Sequence, residues 1–218
     1  MAVIPTESVR SAVLFAKTII IYCLSIIFIR HLINDNTLLV KKMKNRTRTQ
    51  QILIVMNILA WIAFIGLLIK TGALITSYAI SWVTPGAAHD LYRGLNLSNL
   101  REESFWLYSQ SISLLIAFDI MKAFVMYLVI RTLSKVNLIS PFTSEVCGSV
   151  EKISHVLLGI WIVALISNGH GKWILKQTGE LVPTLATGEF LFMAGLVFVI
   201  SQVFKRGLEI QSENELTV

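Results

Sequence analysis

The stretch that decides the fold is Phe105-Trp-Leu-Tyr-Ser-Gln-Ser-Ile-Ser-Leu-Leu-Ile-Ala-Phe-Asp-Ile-Met-Lys-Ala-Phe-Val-Met-Tyr-Leu-Val-Ile130. It is long enough to cross a bilayer, since a helix needs about 20 mainly apolar residues to span about 30 Å of hydrocarbon. It is too long for one strand, and an open sheet in lipid would leave its edge groups unpaired. Three more stretches read the same way: about 51–80, about 153–168 and about 188–204. An upstream run, Ser11 to Ile29, is apolar except for Lys17 and is a candidate fifth span. No small-x-small cleavage site follows it, so it reads as an anchor rather than a removed signal. Met43-Lys44-Asn45-Arg46 is an alternative natural start, which would make residues 1–42 an extension.

Composition agrees. The chain has 218 residues, of which 55% are hydrophobic and only 15% charged, against roughly 25% charged in soluble domains. Mean hydropathy is +0.70. Too few polar residues remain to cover a soluble surface, which excludes an ordinary soluble domain, a disordered chain and a disulfide-stapled module. The expected fold is an all-α integral membrane helical bundle with four core transmembrane helices. Cys23 and Cys147 have no paired spacing and read as small buried or interfacial thiols.

Charge position sets orientation. Lys41, Lys42, Lys44, Arg46 and Arg48 precede the first core span; Arg131, Lys135 and Lys152 lie around the link between the second and third; Lys205 and Arg206 follow the fourth. The positive-inside rule therefore places the C-terminus in the cytoplasm. The other side holds the stretch from about Ser81 to Ser104, which reads as a loop with one short interfacial helix. Trp82, Trp106 and Trp173 are expected at the headgroup layer.

The costly feature is Asp119 with Lys122 in the middle of the quoted stretch. A charge at that depth costs about 2.5–3.5 kcal/mol on insertion scales. Steps of 100° put Tyr108, Ser111, Asp119 and Lys122 within an arc of about 80°, so the stripe should face other helices and not lipid. Two readings stay open: part of a proton relay, ion path or switch, or a self-neutralising pair that fixes packing. Partners named on other spans are Asn57, His155, Ser201 and Gln202. His89-Asp90 and His170 fall on the outer side, where solvated histidines are the ordinary reading and a metal or pH-sensing site the alternative. No HExxH, GxSxG or P-loop is present, so neither an enzyme, a resident cofactor nor a metal is expected.

The inner face carries two candidate interaction segments. In the link, Pro141 breaks the helix, Phe142 is expected at the interface, and Thr143 or Ser144 caps the next helix with Glu145 in its first turn. The tail after Lys205-Arg206 offers Glu209, Glu213, Asn214 and Glu215 as polar groups, with Leu216 and Val218 as apolar anchors. Its readings are a docking peptide or a frayed helix end.

These two segments carry a resemblance. Ser140-Pro141-Phe142-Thr143-Ser144-Glu145 resembles the "NPF-x-x-E" element of a bacterial membrane-protein family, domain of unknown function 2975, with Ser140 where that family often has Asn. The ending Glu213-Asn214-Glu215-Leu216-Thr217-Val218 resembles the family's "E-N-D/E-L-T-V", and Gly188 to Gly195 also fits. The resemblance covers about Met43 to Val218. It implies a four-span inner-membrane protein with no established activity and no catalytic residue to carry over. It also implies a small cytoplasmic helix-turn-helix regulator as partner. The other expected partners are the lipid bilayer and a second copy of the chain in a candidate homo-oligomer, with no direct nucleic-acid contact. Three functions follow: a membrane sensor or regulator, an ion- or proton-coupled permeation protein using Asp119 and Lys122, and a structural or protective protein.

Overall fold

The computed structural model describes residues 48–136 and 143–216, the last three by backbone alone. These residues form helices α1 (Arg48–Ser81), α2 (Ser98–Glu103), α3 (Phe105–Lys135), α4 (Ser144–Thr178) and α5 (Gly188–Leu216), with a 3-10 turn at Pro85–His89. No strand occurs among the described residues. Four of the helices are long and apolar enough to cross a membrane, and the chain is a multi-pass membrane protein. The upstream apolar run and the candidate start at Met43 lie outside the described residues.

The helices outrun the apolar stretches that announce them. The third apolar stretch begins near Ile153, yet α4 starts at Ser144, where the Thr143 side chain accepts a hydrogen bond from the Val146 N–H at 3.3 Å. Such a cap satisfies an amide that has no partner within the helix. At the other end, Gly179 adopts φ 77° and its N–H donates to the Leu175 carbonyl at 3.0 Å. Only a residue without a Cβ takes that left-handed turn freely.

Each spanning helix packs mainly on its neighbour in the chain: α1 on α3, α3 on α4, and α4 on α5. Polarity is inverted relative to a soluble protein. Ser77, Ser111, Asp119, Ser154, Ser167 and Ser201 are buried, whereas Leu59, Ile62, Phe192, Val199 and Val203 are exposed. Small and polar side chains let helices approach closely, and lipid covers the apolar exterior. Between α4 and α5 the Ser154 hydroxyl donates to the Ala194 carbonyl at 3.1 Å. The Asn168 amide pairs with both backbone groups of Leu185, at 2.8 and 2.7 Å, and so pins the extended link before α5.

The stretch expected as a loop with one short helix is a folded cap with two short helical turns. Leu91, Leu97 and Leu100 bury themselves against Leu74, Tyr108 and Ile112. Backbone groups that a loop would leave to water are paired inside the cap: Leu97 N–H to Ala88 C=O and Leu91 N–H to Leu95 C=O. Its turn at Arg93-Gly94 has positive φ at both residues, closed by Leu95 N–H to Tyr92 C=O at 3.0 Å. Trp82 and Trp106 are 63% and 70% exposed at this end, as amphipathic rings at a headgroup layer should be.

Candidate functional site: two lysines on one buried aspartate

Asp119 sits fourteen residues into α3, about 21 Å from the Phe105 end at ~1.5 Å per residue. It is 2% exposed. Its partner across the helix interface is Lys70 of α1, whose Nζ lies 2.9 Å from Oδ2 and 3.2 Å from Oδ1. Lys122, one turn on, donates to Oδ1 at 3.0 Å. The Lys122 ammonium also lies 4.7 Å from the centre of the Phe118 ring. The expected pair is therefore a triad, and in ionised form it carries one surplus positive charge. The side chains of Lys70 and Lys122 are 37% and 24% exposed.

None of the partners named from sequence takes this role. His155 bonds through Nδ1 with the Glu151 carbonyl of its own helix. The Ser201 hydroxyl donates to Phe198 C=O, and Gln202 donates to Ser201. Asn57 keeps a buried amide oxygen without a hydrogen-bond partner. Lys70 is the residue the sequence reading missed. It interrupts an apolar run between Ile69 and Thr71, and 100° steps place it on one face with Ser77 and Ser81. That small polar stripe was the available signal.

The α3 stripe faces inward but does not act as one site. Tyr108, fully buried, donates its hydroxyl to Ser81 of α1 at 2.9 Å. Ser111 donates to the Leu107 carbonyl of its own helix. Tyr108–Ser81 and Asp119–Lys70 are each eleven residues apart on both helices, about three turns. The two links thus clamp one antiparallel seam. Arg101 braces the upper link, its Nε donating to the Ser81 carbonyl at 2.9 Å and its Nη2 to the same oxygen.

The histidines do not gather. His170 Nε2 bonds with Gln110 Oε1 at 3.0 Å and its ring lies against Trp173, while His89 closes the 3-10 turn. No group of three metal-ligating side chains exists among the described residues.

At the opposite end the link residues Pro141 and Phe142 lie outside the described residues, as does Val218. Glu145 forms an ion pair with Lys135 across the link at 2.6 Å. Lys205 lies 3.5 Å from Glu151, and Arg206 is 2.8 Å from Glu209. These contacts gather the ends of α3 and α5 with the start of α4. Glu209, Glu213, Asn214, Glu215 and Leu216 are not a separate tail: α5 continues through them to Leu216.

With this architecture in view, residues 85–218 match the family model described as Protein of unknown function (DUF2975). The chain belongs to this family. No curated protein and no solved structure gives a match. In this DUF2975 chain the matched stretch holds the cap, α3, α4 and α5, with Asp119 and Lys122, while Lys70 on α1 precedes it.

Proposed function

We propose that this protein is a non-enzymatic regulator in a bacterial inner membrane, with α5 as its output element. The observation that carries this reading is the continuity of α5. It runs unbroken from Gly188 to Leu216, twelve residues beyond Phe204 where the apolar stretch ends. Those residues extend the helix about 18 Å at ~1.5 Å per residue. A rigid rod of this kind moves at its far end when its membrane part shifts against α4, as a frayed peptide would not. The positive-inside rule puts that end in the cytoplasm, where Arg131, Lys135, Lys152, Lys205 and Arg206 collect.

The exposed end carries Glu209, which pairs with Arg206, and Glu213, an acidic stretch that suits a basic partner. A small helix-turn-helix regulator, the partner class that the family resemblance implies, has the basic surface that DNA binding requires. In this reading the membrane protein competes with DNA for that surface. Removing Glu209–Val218 is expected to release a helix-turn-helix partner from membranes into the soluble fraction. Unchanged co-purification of the two proteins would count against α5 as the output. A reporter fused at Val218 that is active only outside the cytoplasm would sink the orientation.

The triad favours a second reading, ion- or proton-coupled permeation through the α1–α3 seam. Lys122→Met leaves the Lys70–Asp119 pair intact and should abolish flux in reconstituted vesicles. Flux at the wild-type rate in that variant removes this reading.

A further inference from the structure

Helix α1 packs mainly on α3 and keeps an open flank. Ile52, Val55, Leu59 and Ile62 are exposed there, and Gly66, also exposed, continues their row. Among the described residues, no group of a neighbouring element lies within 4 Å of where a Cβ would stand on Gly66. The row repeats at alternating steps of three and four residues, the spacing by which two helices interdigitate along a shared seam.

The chain ahead of α1 holds a matching row. In the run Ser11 to Ile29, steps of 100° place Ala12, Phe15, Ile19, Tyr22 and Ile26 opposite Lys17, again at alternating steps of three and four. The lysine side is thereby left to lipid, where its long stem reaches the headgroup layer. Arg30 follows the run, and Lys41, Lys42, Lys44, Arg46 and Arg48 lead into α1. The connection therefore belongs to the basic inner side, and the run crosses antiparallel to α1. With Ile29 beside Ile52, the two rows pair Ile26 with Val55, Tyr22 with Leu59, Ile19 with Ile62 and Phe15 with Gly66. A phenyl ring then falls where α1 has no side chain, and a glycine at that point lets the helices close on each other.

The tether favours this occupant. Residues 30–47 reach far beyond the about 8–10 Å between packed helix axes, and a short connection gives the run an effective concentration on the order of millimolar. A second copy on the same flank, related by a two-fold axis along the membrane normal, would instead set two Lys41–Arg48 segments side by side, like charge against like. We infer that the open flank of α1 is the docking face for residues 11–29, which cross the membrane antiparallel to it as an additional helix with Phe15 seated over Gly66. This docking goes beyond the output role of α5 and does not depend on it.

The test uses the full chain in membranes of the expressing cell, with Cys23 and Cys147 replaced by serine and a protease site inserted between Asp35 and Asn36. Two cysteine pairs probe the seam: Ile26→Cys with Val55→Cys, and Ile19→Cys with Ile62→Cys. Each should form a disulfide under mild oxidation that keeps the two fragments joined after cleavage, while the uncleaved chain stays at monomer mass. Ile21→Cys with Ile62→Cys, on the Lys17 side, should form none. Gly66→Leu fills the place of Phe15 and should slow the disulfide of the second pair roughly tenfold, as overpacking of a seam does. Absence of both seam disulfides, or equal yield from the Ile21 pair, overturns the proposal. A seam disulfide found only at dimer mass overturns it too, because a second copy then covers the flank. An unchanged rate in the Gly66→Leu variant overturns the seating of Phe15 over that residue.

Discussion

Replacing Asp119 with asparagine is expected to destabilise the protein by about 1.5–3 kcal/mol, the loss of hydrogen bonds to a charged group whose lysine partners stay partly exposed. Asparagine removes the only carboxylate that Lys70 and Lys122 share and turns an amide toward them. The same residues give a sharper comparison when all three are made apolar. Lys70→Leu, Asp119→Leu and Lys122→Leu together should be neutral or stabilising by about 1–4 kcal/mol, since a well-packed apolar replacement avoids the desolvation of three ions. A double leucine variant at Asp119 and Lys122 alone is the wrong control, because it strands Lys70. Unfolding in bicelles, read by reversible denaturation, orders the variants: triple leucine at or above wild type, wild type above the asparagine variant. An asparagine variant as stable as wild type would show that the triad does not hold α1 to α3. A triple variant that folds normally and loses activity would assign the triad to function, not to packing.

The second large effect is expected at Tyr108. Its side chain is fully buried, bonded to Ser81 and flanked by Tyr78 and Phe105 with ring centres 5.9 and 6.1 Å away. Tyr108→Ala empties an aromatic volume beneath the cap and should cost about 3–5 kcal/mol. Tyr108→Phe should cost only about 0.5–1.5 kcal/mol. The reason is local: the Ser81 hydroxyl still donates to the Tyr78 carbonyl at 2.7 Å, so losing the tyrosine donor strands no buried proton. Protease accessibility of the cap at Arg93 should rise in the alanine variant and stay at the wild-type level in the phenylalanine variant. Equal losses in the two would mean that the hydroxyl, not the ring, holds the cap.

How much of this was legible beforehand differs by residue. Asp119 could be placed on an inward face from its position in Phe105–Ile130, because a carboxylate facing lipid is too costly. Thr143 could be named as a cap, with Ser144 as its rival, because capping depends on residues within one turn. Lys70 could not be chosen as the partner of Asp119. The two are 49 positions apart, and their meeting depends on how α1 slides along α3. The cap is hidden from sequence for a related reason. Pro85, Gly86 and Gly94 read as breakers, and only the burial of Leu91, Leu97 and Leu100 on the helix ends makes that stretch a folded unit. Hydropathy falls after Phe204, which separates the far end of α5 from its span in sequence, although the helix itself does not stop there.

The sequence by itself determined the solvent, the number of core crossings and the basic face. Hydrophobic transfer is local and additive, so runs of apolar residues and flanking lysines report it directly. The tertiary structure alone decided which charges meet, that Tyr108 and Asp119 clamp the same seam, and that the stretch after Ser81 closes over it. Those outcomes rest on the register between antiparallel helices, a matter of how two surfaces far apart in the chain fit together, with small side chains such as Ala73 and Ser77 buried on α1.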